Sequence, residues 1–372
     1  MRILLVANKD ITLYLFRKEF IEKLVEKNYE VFILCPDGEK LEYFRKFGIT
    51  IINYQLERRG MNPFNEIKVI RKFRKVLKSV RPDFVFTYTI KPNLYIGMLS
   101  RVRKFKFIPT ITGLGSSANR KGYINFSIKR LYRYSFKKVH VAFFQNTDNL
   151  QWFNENISAK IKTTLVNGSG VNLTQFSYNQ LQQDKVTKFL FLGRIMKEKG
   201  IDELFQAAKI LKQKYNDAIQ FTVAGFIEED YRDLIQNLVN DNIISYIGFV
   251  DDSHNELIKH TALVLPSYHE GLSNVILEAQ ATGRPVIATD IPGCREAFVD
   301  GVSGLKVKVK DVDDLVLKLE TFHNLGFDLK DNMSIKGRQF IEAHFDRDKV
   351  VRDYLNIIEI GDWKNEFVRK NS

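Results

Sequence analysis

The feature of this sequence that most constrains its fold is a regular alternation of short apolar runs with amphipathic helical segments. The runs are rich in Val, Ile, Leu and Phe, which is typical of strands buried on both faces of a parallel sheet. In the first half we predict strands at 2–7, 30–35, 49–54, 83–88, 106–112, 140–145 and 162–166. In the second half we predict strands at 189–193, 219–225, 244–250, 262–267, 285–290 and 304–309. The alternation therefore predicts an α/β fold with two doubly wound parallel sheets.

A polar segment, SYNQLQQDKVT at 177–187, interrupts this alternation and is the predicted linker between two domains. We predict an N-terminal domain over 1–176 and a C-terminal domain over 187–345. Ligands of doubly wound sheets bind beyond the carboxyl ends of the strands, and pockets are common where two domains meet. We therefore expect the functional site in a cleft between the domains.

The net charge of +13 is distributed unevenly along the chain. Residues 1–180 contain 32 Lys and Arg against 13 Asp and Glu, whereas residues 181–372 contain 25 against 31. The first half therefore carries +19 and the second half −6. A strongly basic half predicts an anionic partner, which is a nucleic acid, an anionic membrane or a phosphorylated ligand.

The composition excludes several classes of protein. An apolar content of 44% rules out disorder, and two cysteines cannot frame a disulfide-rich fold or a four-ligand zinc site. Cys35 and Cys294 are expected to be reduced and packed. No apolar run reaches the roughly 18 residues of a membrane span, and no signal-peptide pattern is present, so we expect a cytoplasmic protein. No Gly-x-Gly-x-x-Gly follows the first strand of either half, which argues against an NAD-dependent dehydrogenase.

The segment 265–290 contains two glutamates, Glu270 and Glu278, around the start of a predicted helix. Carboxylates accept hydrogen bonds from sugar hydroxyls, and the free N–H groups at a helix start bind phosphate. These N–H groups belong to Leu272, Ser273 and Asn274, and Gly271 before them is a further donor-binding candidate. The combination fits a nucleotide sugar. On spacing alone, the pair is equally compatible with a capping carboxylate and a solvated helix glutamate.

Two basic residues, Arg194 and Lys199, follow the first predicted strand of the second half, in FLFLGRIMKEKG at 189–200. A guanidinium fork and a point charge at a strand end are suited to binding a diphosphate. The segment lacks the Walker pattern, and alone these residues are also compatible with solvated charges. The acidic pairs Asp251-Asp252 and Asp313-Asp314 are typical of helix caps, so no metal site is predicted.

Basic and aromatic residues alternate in the segments 101–106 and 120–138. A helix that combines the two is typical of an anionic membrane surface, with Lys129, Arg130 and Arg133 as its candidate contacts. Alternatively, the apolar positions pack on the sheet and the charges are solvated. Single-stranded nucleic acid would suit the same residues, but no nucleic-acid module accompanies them.

Taken in order, the motifs of the second half resemble the retaining GT-B glycosyltransferases of family 4. They are Gly193-Arg194 with Lys199-Gly200, Ala224-Gly225, Gly248-Phe249-Val250, Pro266-Ser267, the EX7E spacing from Glu270 to Glu278, and the segment 283–304. In the first half the similarity is to a subgroup that builds lipid-linked oligosaccharides and capsules, including enzymes that add N-acetylgalactosamine to undecaprenyl-diphosphate-linked bacillosamine. It is carried by Phe16-Arg17, Asn62-Pro63-Phe64, 111–116 and 167–172.

The resemblance implies the GT-B fold, in which two Rossmann-like domains face a cleft, with the segment 346–372 returning to the N-terminal domain. It implies transfer of a sugar, N-acetylgalactosamine being favoured, from a UDP-sugar to a sugar on polyprenyl diphosphate, with retention and without a cofactor. In the family, Glu270 lies near the donor sugar's hydroxyls, Glu278 contacts the ribose, and Arg194 and Lys199 bind the diphosphate. The catalytic candidates are therefore Glu270, Arg194 and Lys199.

The acceptor side is implied less directly. Candidate residues are Arg17, Thr112 and Gly113, besides the basic helix. The chain departs from many family members in having Asn8 to Thr12 in place of a Gly-Gly pair, and Thr112-Gly113 where a histidine is common. The expected partners are a UDP-sugar, a polyprenyl-diphosphate-linked sugar and the anionic inner face of the cell membrane, and not a nucleic acid. A non-hydrolysing UDP-sugar epimerase of the same fold, or a basic binding protein without turnover, are the alternatives.

Overall fold

The structure, a computed structural model, describes residues 1–55, 63–112 and 123–359. Within these ranges the chain divides into two compact units. The first unit is Met1–Ser169 with the chain from Asp348 onward, and the second unit is Gly170–Arg347. Each unit is built on its own parallel sheet, which confirms the predicted α/β fold class.

The first unit contains a seven-stranded parallel sheet in the order β3-β2-β1-β4-β5-β6-β7. Its strands are β1 (Arg2–Val6), β2 (Glu30–Cys35), β3 (Thr50–Asn53), β4 (Phe84–Tyr88), β5 (Lys106–Ile111), β6 (Ala142–Phe144) and β7 (Thr163–Leu165). Ile3 and Leu5 of β1 pack in one apolar layer, and Leu4 and Val6 pack in the other. Because both faces of the sheet are covered, the strands read as continuous apolar runs.

Helices cover both faces of this sheet. They are α1 (Asp10–Glu26), α2 (Leu41–Arg45), α3 (Pro63–Val80), α4 (Ile90–Ser100), α5 (Tyr123–Ser135) and α6 (Thr147–Asn156). The start of α6 is fixed by Asn146, whose side-chain oxygen accepts a hydrogen bond from the N–H of Asn149 at 2.8 Å. Asn62, the first residue of the motif Asn62-Pro63-Phe64, lies outside the described residues.

The second unit contains a six-stranded parallel sheet in the order β10-β9-β8-β11-β12-β13. Its strands are β8 (Thr187–Leu192), β9 (Ile219–Ala224), β10 (Ser245–Tyr246), β11 (Ala262–Leu265), β12 (Val286–Thr289) and β13 (Gly304–Val307). Its helices are α7 (Ile201–Tyr215), α8 (Arg232–Asn240), α9 (Ser253–Leu257), α10 (Asn274–Ala281), α11 (Val312–Asn324) and α12 (Phe327–His344). The order of the strands reverses between β8 and β11, which makes this the switch point of the sheet.

The segment 177–187, predicted as a linker, is an integral part of the second unit. Leu181 is buried, and the buried guanidinium group of Arg284 donates a hydrogen bond to the carbonyl oxygen of Asn179 at 2.6 Å. The units divide after Ser169 instead. The side-chain oxygen of Asn179 accepts a second hydrogen bond from the same guanidinium group at 3.2 Å, so the segment is attached to a residue far away in the sequence.

The final described helix, α13 (Arg347–Glu359), completes the core of the first unit. The ring of Tyr354 stacks on Phe143 with 4.3 Å between ring centroids, and its hydroxyl is 2.9 Å from Oγ1 of Thr110. The other apolar residues that α13 contributes to this core are Val350, Val351, Leu355, Ile357 and Ile358. The first sheet is therefore covered on one side by residues from the end of the chain.

Both cysteines are buried free thiols, as predicted, and burial raises the pKa of Cys35 to about 12. A helix with the length and hydropathy of a membrane span was not found in the described ranges.

We expect Tyr354→Ala to destabilise the first unit by about 3–5 kcal/mol, because it removes a large buried side chain. Tyr354→Phe keeps the ring and removes one hydrogen bond, so it should cost about 1 kcal/mol. Urea denaturation monitored by circular dichroism measures both values. Equal losses in the two variants would contradict a packing role for the ring.

Candidate active site

The candidate site lies at the carboxyl ends of β8 and β11 in the second unit. These strands are neighbours at the switch point of the sheet, where loops that leave in opposite directions open a crevice for a ligand. The loop after β8 carries Arg194 and Lys199, and the loop after β11 carries Glu270. The fold thus brings together segments that are far apart in the sequence.

The two loops are in direct contact. Gly200 has a φ of 69°, and a Cβ atom at this position would lie 2.0 Å from the carbonyl oxygen of Pro266. Beside it, the N–H of Tyr268 donates a hydrogen bond to the carbonyl oxygen of Glu198 at 2.9 Å. Any residue other than glycine would therefore separate the loops.

Lys199 and Glu270 form an ion pair across these loops. Nζ of Lys199 is 2.5 Å from Oε1 of Glu270, and Oγ of Ser267 donates a hydrogen bond to the same oxygen at 2.8 Å. The lysine side chain is 18% exposed and the glutamate side chain 12% exposed. Partial burial strengthens a charge pair relative to one in water. Lys199 and Glu270, which were predicted from two separate motifs as donor-binding residues, thus form one charged pair.

The start of α10 corrects one detail of the predicted phosphate site. The N–H of Ser273 was expected to be free, but it donates a hydrogen bond to the carbonyl oxygen of Gly293 at 2.8 Å. Gly293 has a φ of 85°, and a Cβ atom there would lie 2.5 Å from the carbonyl oxygen of Gly271. The loop after β12 is therefore in direct contact with the loop that carries Glu270. Leu272 is buried beside Ser273, whereas Asn274 is only partly buried.

Glu278 has different partners from Glu270. Oγ of Ser253, the first residue of α9, donates a hydrogen bond to Oε2 of Glu278 at 3.2 Å. Burial raises the pKa of the Glu278 carboxyl group to about 7, although the charge of Arg347 and the hydrogen bond from Ser253 act to lower it. This carboxyl group therefore changes its charge near neutral pH.

Arg194 lies apart from the Lys199–Glu270 pair. Its side chain is 50% exposed, and its guanidinium group contacts Oε2 of Glu228 at 2.8 Å. The N–H of Ile195 donates a hydrogen bond to the carbonyl oxygen of Phe226, which extends the pairing of β8 with β9 past the strand ends. Arg194 is thus held at the carboxyl edge of the sheet with its charge accessible.

Two aromatic residues at the same edge were not assigned a role from the sequence. Phe226, after β9, and Phe249, after β10, are stacked with 4.3 Å between centroids and an angle of 13° between their planes. They are 57% and 48% exposed. Gly248-Phe249-Val250 was recognisable as a family motif, but the stacking and exposure depend on the fold. An exposed aromatic pair next to phosphate-binding candidates is suited to contact with a flat ring.

The predicted acceptor residues of the first unit lie in different environments. Arg17 is 4% exposed, and its guanidinium carbon is 4.8 Å from the ring centroid of Tyr88 and 5.3 Å from that of Tyr354. The guanidinium group is thus packed against two aromatic rings, and the acceptor contact of Arg17 stays a prediction. Thr112 is partly buried just after β5, and Gly113 lies outside the described residues.

Some residues of the basic helix α5 pack against the first unit, and others are exposed to solvent. Lys129 and Arg133 donate hydrogen bonds to Asn156, at 2.6 and 2.7 Å, and so attach α5 to the end of α6. Phe126 and Tyr134 are 58% and 50% exposed. Each has a guanidinium group over its ring, from Arg130 at 5.7 Å and from Arg101 at 4.1 Å. Tyr132, by contrast, is buried in the core.

Only one of the two acidic pairs contains a helix cap. Asp252 caps α9 by accepting a hydrogen bond from the N–H of Asn255 at 3.0 Å. The cap of α11 is instead Asp311, which accepts a hydrogen bond from the N–H of Asp314 at 2.9 Å, and Asp313 and Asp314 lie in the first turn of that helix. Over the part of the chain that the structure describes, no cluster of three or more His, Cys, Asp and Glu residues is arranged to hold a metal ion.

Comparison with known proteins identifies both halves. Residues 175–340 match the family model described as "Glycosyl transferases group 1", and residues 2–146 match the one described as "Glycosyl transferase 4-like". The chain is 30% identical, over 337 residues, to the N,N'-diacetylbacillosaminyl-diphospho-undecaprenol alpha-1,3-N-acetylgalactosaminyltransferase of Campylobacter jejuni, covering 86% of this chain and 88% of that protein.

A second relative is the capsular polysaccharide biosynthesis glycosyltransferase CapM of Staphylococcus aureus, which is 28% identical, with 92% of each chain covered. Among solved structures, HepE of Anabaena in complex with UDP-glucose has a TM-score of 0.77 at 14% identity, covering 97% of this chain and 100% of that chain. The last similarity concerns the fold alone. The chain therefore belongs to the family 4 glycosyltransferases of the GT-B fold.

Proposed function

We propose that the protein transfers a sugar, with retention, from a UDP-sugar to a sugar carried on polyprenyl diphosphate, and that N-acetylgalactosamine is the favoured donor sugar. The observation that carries the donor side is the Lys199–Glu270 pair at the switch point of the second sheet. The acceptor and the donor sugar follow from the similarity to the Campylobacter jejuni enzyme, whose name specifies both.

Both candidate cations are paired with carboxylates at the carboxyl edge of the sheet. Lys199 is paired with Glu270, and Arg194 is paired with Glu228. A diphosphate carries more charge than one carboxylate, so it competes effectively for both cations. When Lys199 turns to the diphosphate, Glu270 becomes available to accept hydrogen bonds from the hydroxyls of the donor sugar. The ion pair thus holds both groups in place before the donor binds.

The second unit also contains candidate contacts for the nucleoside. Glu278 is proposed to accept hydrogen bonds from the ribose hydroxyls, for which its ionised form is the better acceptor. The exposed rings of Phe226 and Phe249 offer a flat surface for the uracil ring at the ends of β9 and β10.

The proposed step breaks the bond between the anomeric carbon and the diphosphate oxygen. The acceptor hydroxyl forms the new bond on the same face, and its proton passes to the departing diphosphate, so no separate protein base is required. Charge accumulates on the diphosphate as the bond breaks. Lys199 and Arg194 stabilise this charge, and stabilisation that increases in the transition state accelerates the reaction.

The acceptor is proposed to reach the first unit at an anionic membrane surface. Polyprenyl diphosphate is a lipid, and residues 1–180 carry a net charge of +19. On α5, Phe126 and Tyr134 are exposed next to Arg130 and Arg101, a combination that suits the interface between lipid headgroups and acyl chains.

Turnover of UDP-sugars with a polyprenyl-diphosphate-linked sugar tests the function directly. We expect Lys199→Ala and Glu270→Gln each to reduce kcat by about 10²-fold or more, because each removes a transition-state contact. Lys197→Ala is the matched control, since Lys197 lies in the same turn with its side chain exposed. Loss of activity in the control alone would place the catalytic cation elsewhere.

The same assay separates the alternatives. Conversion of the UDP-sugar without an acceptor would indicate an epimerase. Binding of UDP without turnover of any donor would indicate an inert binding protein.

UDP affinity should increase from about pH 6 to pH 8. Because the pKa of Glu278 is about 7 without ligand, the group is mostly protonated at the lower pH and must lose its proton to accept ribose hydrogen bonds as a carboxylate. This proton release costs about a factor of ten in affinity at one pH unit below the pKa. Calorimetry with Glu278→Gln corrects for titration of UDP itself. Identical pH profiles in wild type and Glu278→Gln would contradict the assignment.

Charge reversal at exposed basic residues of α5 and of the turn 136–138 that follows it should abolish docking to anionic vesicles. Arg130, Lys137 and Lys138 are changed to Glu, whereas Lys129 and Arg133 are retained because they bind Asn156. With about 1 kcal/mol per basic residue, the loss should be about 100-fold or more in sedimentation with phosphatidylserine vesicles.

A control variant makes the same change in net charge on the second unit, at exposed Lys185, Lys209 and Lys336. Equal losses in both variants would mean that net charge alone causes binding. Unchanged binding in the first variant would exclude α5 and the turn after it as the docking surface.

A further inference from the structure

Tyr268 is more enclosed than its position in a loop at the sheet edge would suggest. It is two residues from Glu270 and only 8% exposed. Its hydroxyl donates a hydrogen bond to Oε1 of Glu203, in the first turn of α7, at 2.7 Å. Nζ of Lys310 lies 4.8 Å from the centroid of its ring. Each of these contacts attaches the loop after β11 to another element of the second unit.

Tyr268 forms hydrogen bonds with residues that precede and follow Lys199 in the sequence. Its N–H donates to Glu198, immediately before the lysine, and its hydroxyl donates to Glu203, four residues after it. Tyr268 therefore fixes the turn that carries Lys199 relative to the loop that carries Glu270.

The carboxyl group of Glu203 is held mainly by this tyrosine. Its second oxygen, Oε2, is buried and has no hydrogen-bond partner among the described residues. A buried polar atom without a partner carries a desolvation cost. Such an atom calls for an explanation other than packing alone. Burial, with the nearby Glu203 carboxylate, also raises the pKa of the Tyr268 hydroxyl, so it remains a donor at all physiological pH values.

We propose that Tyr268 is a positioning residue for sugar transfer, which through its hydrogen bond to Glu203 sets the position of the turn that carries Lys199 relative to the loop that carries Glu270. The inference rests on the roles proposed above for that pair. Small displacements of aligned groups reduce reaction rates strongly, since a shift of about 1 Å can cost about 100-fold. The hydroxyl of Tyr268 is thus expected to affect kcat although it does not contact the substrate.

Tyr268→Phe tests this proposal, because it keeps the buried ring and removes only the hydroxyl. We expect kcat to fall by about 10-fold or more, with the KM for the UDP-sugar within about twofold of wild type. Glu203→Gln keeps an acceptor for the hydroxyl and should retain most of the activity, whereas Glu203→Ala should resemble Tyr268→Phe.

Tyr231→Phe is the matched control. The Tyr231 hydroxyl donates to Oδ1 of Asp202 at 2.9 Å, so this variant removes a similar hydrogen bond from the adjacent residue of α7. Tyr231 lies in the loop after β9 and does not attach the loop of Glu270. Loss of the hydrogen bond from Tyr231 should therefore leave kcat near the wild-type value.

Hydrogen–deuterium exchange of residues 267–272 provides a readout that requires no substrate. Exchange should increase in Tyr268→Phe and remain unchanged in Tyr231→Phe. Unchanged exchange in Tyr268→Phe, or a kcat no lower than that of Tyr231→Phe, would overturn the proposal. Full activity of Lys199→Ala would instead refute the proposed catalytic pair, while the exchange data would still report whether Tyr268 holds the loop.

Discussion

The candidate site depends on one steric constraint, the contact between the loops that follow β8 and β11. This contact requires glycine at position 200, because a side chain there would collide with the carbonyl group of Pro266. Only when the loops touch can Lys199 reach Glu270 and Tyr268 reach Glu198. The charged pair is therefore a consequence of backbone packing, and the strength of its electrostatic attraction is secondary. The contact between the two loops places Lys199 and Glu270 within reach of each other, and the ion pair forms as a result.

Much of the fold could be predicted from the sequence because strands buried on both faces leave an unmistakable pattern of apolar runs. The division of the chain was harder to predict. The polar segment 177–187 has the composition of a linker, yet it is bound to the second unit through Arg284, about a hundred residues away along the chain. Composition reports what a segment contains, whereas its partners depend on the tertiary fold.

The same distinction applies to the site. Glu270 and Lys199 were identified individually from their motifs, but their contact depends on how two loops meet. The N–H of Ser273 was predicted to be free because it begins a helix, and no pattern along the chain indicates that Gly293 accepts its hydrogen bond. The exposed stack of Phe226 on Phe249 is likewise a property of adjacent strand ends. Residue types were therefore more predictable than their pairing.

The position of α13 has a consequence for how the chain folds during synthesis. The first unit emerges from the ribosome first, but the Tyr354 ring that covers Phe143 is made only after the entire second unit. Until α13 has been synthesised, the first sheet exposes an apolar surface. All residues of the second unit have been synthesised by that point. The half that begins the chain is thus the last to complete its core. A chain that ends before α13 would leave that apolar surface exposed to aggregation.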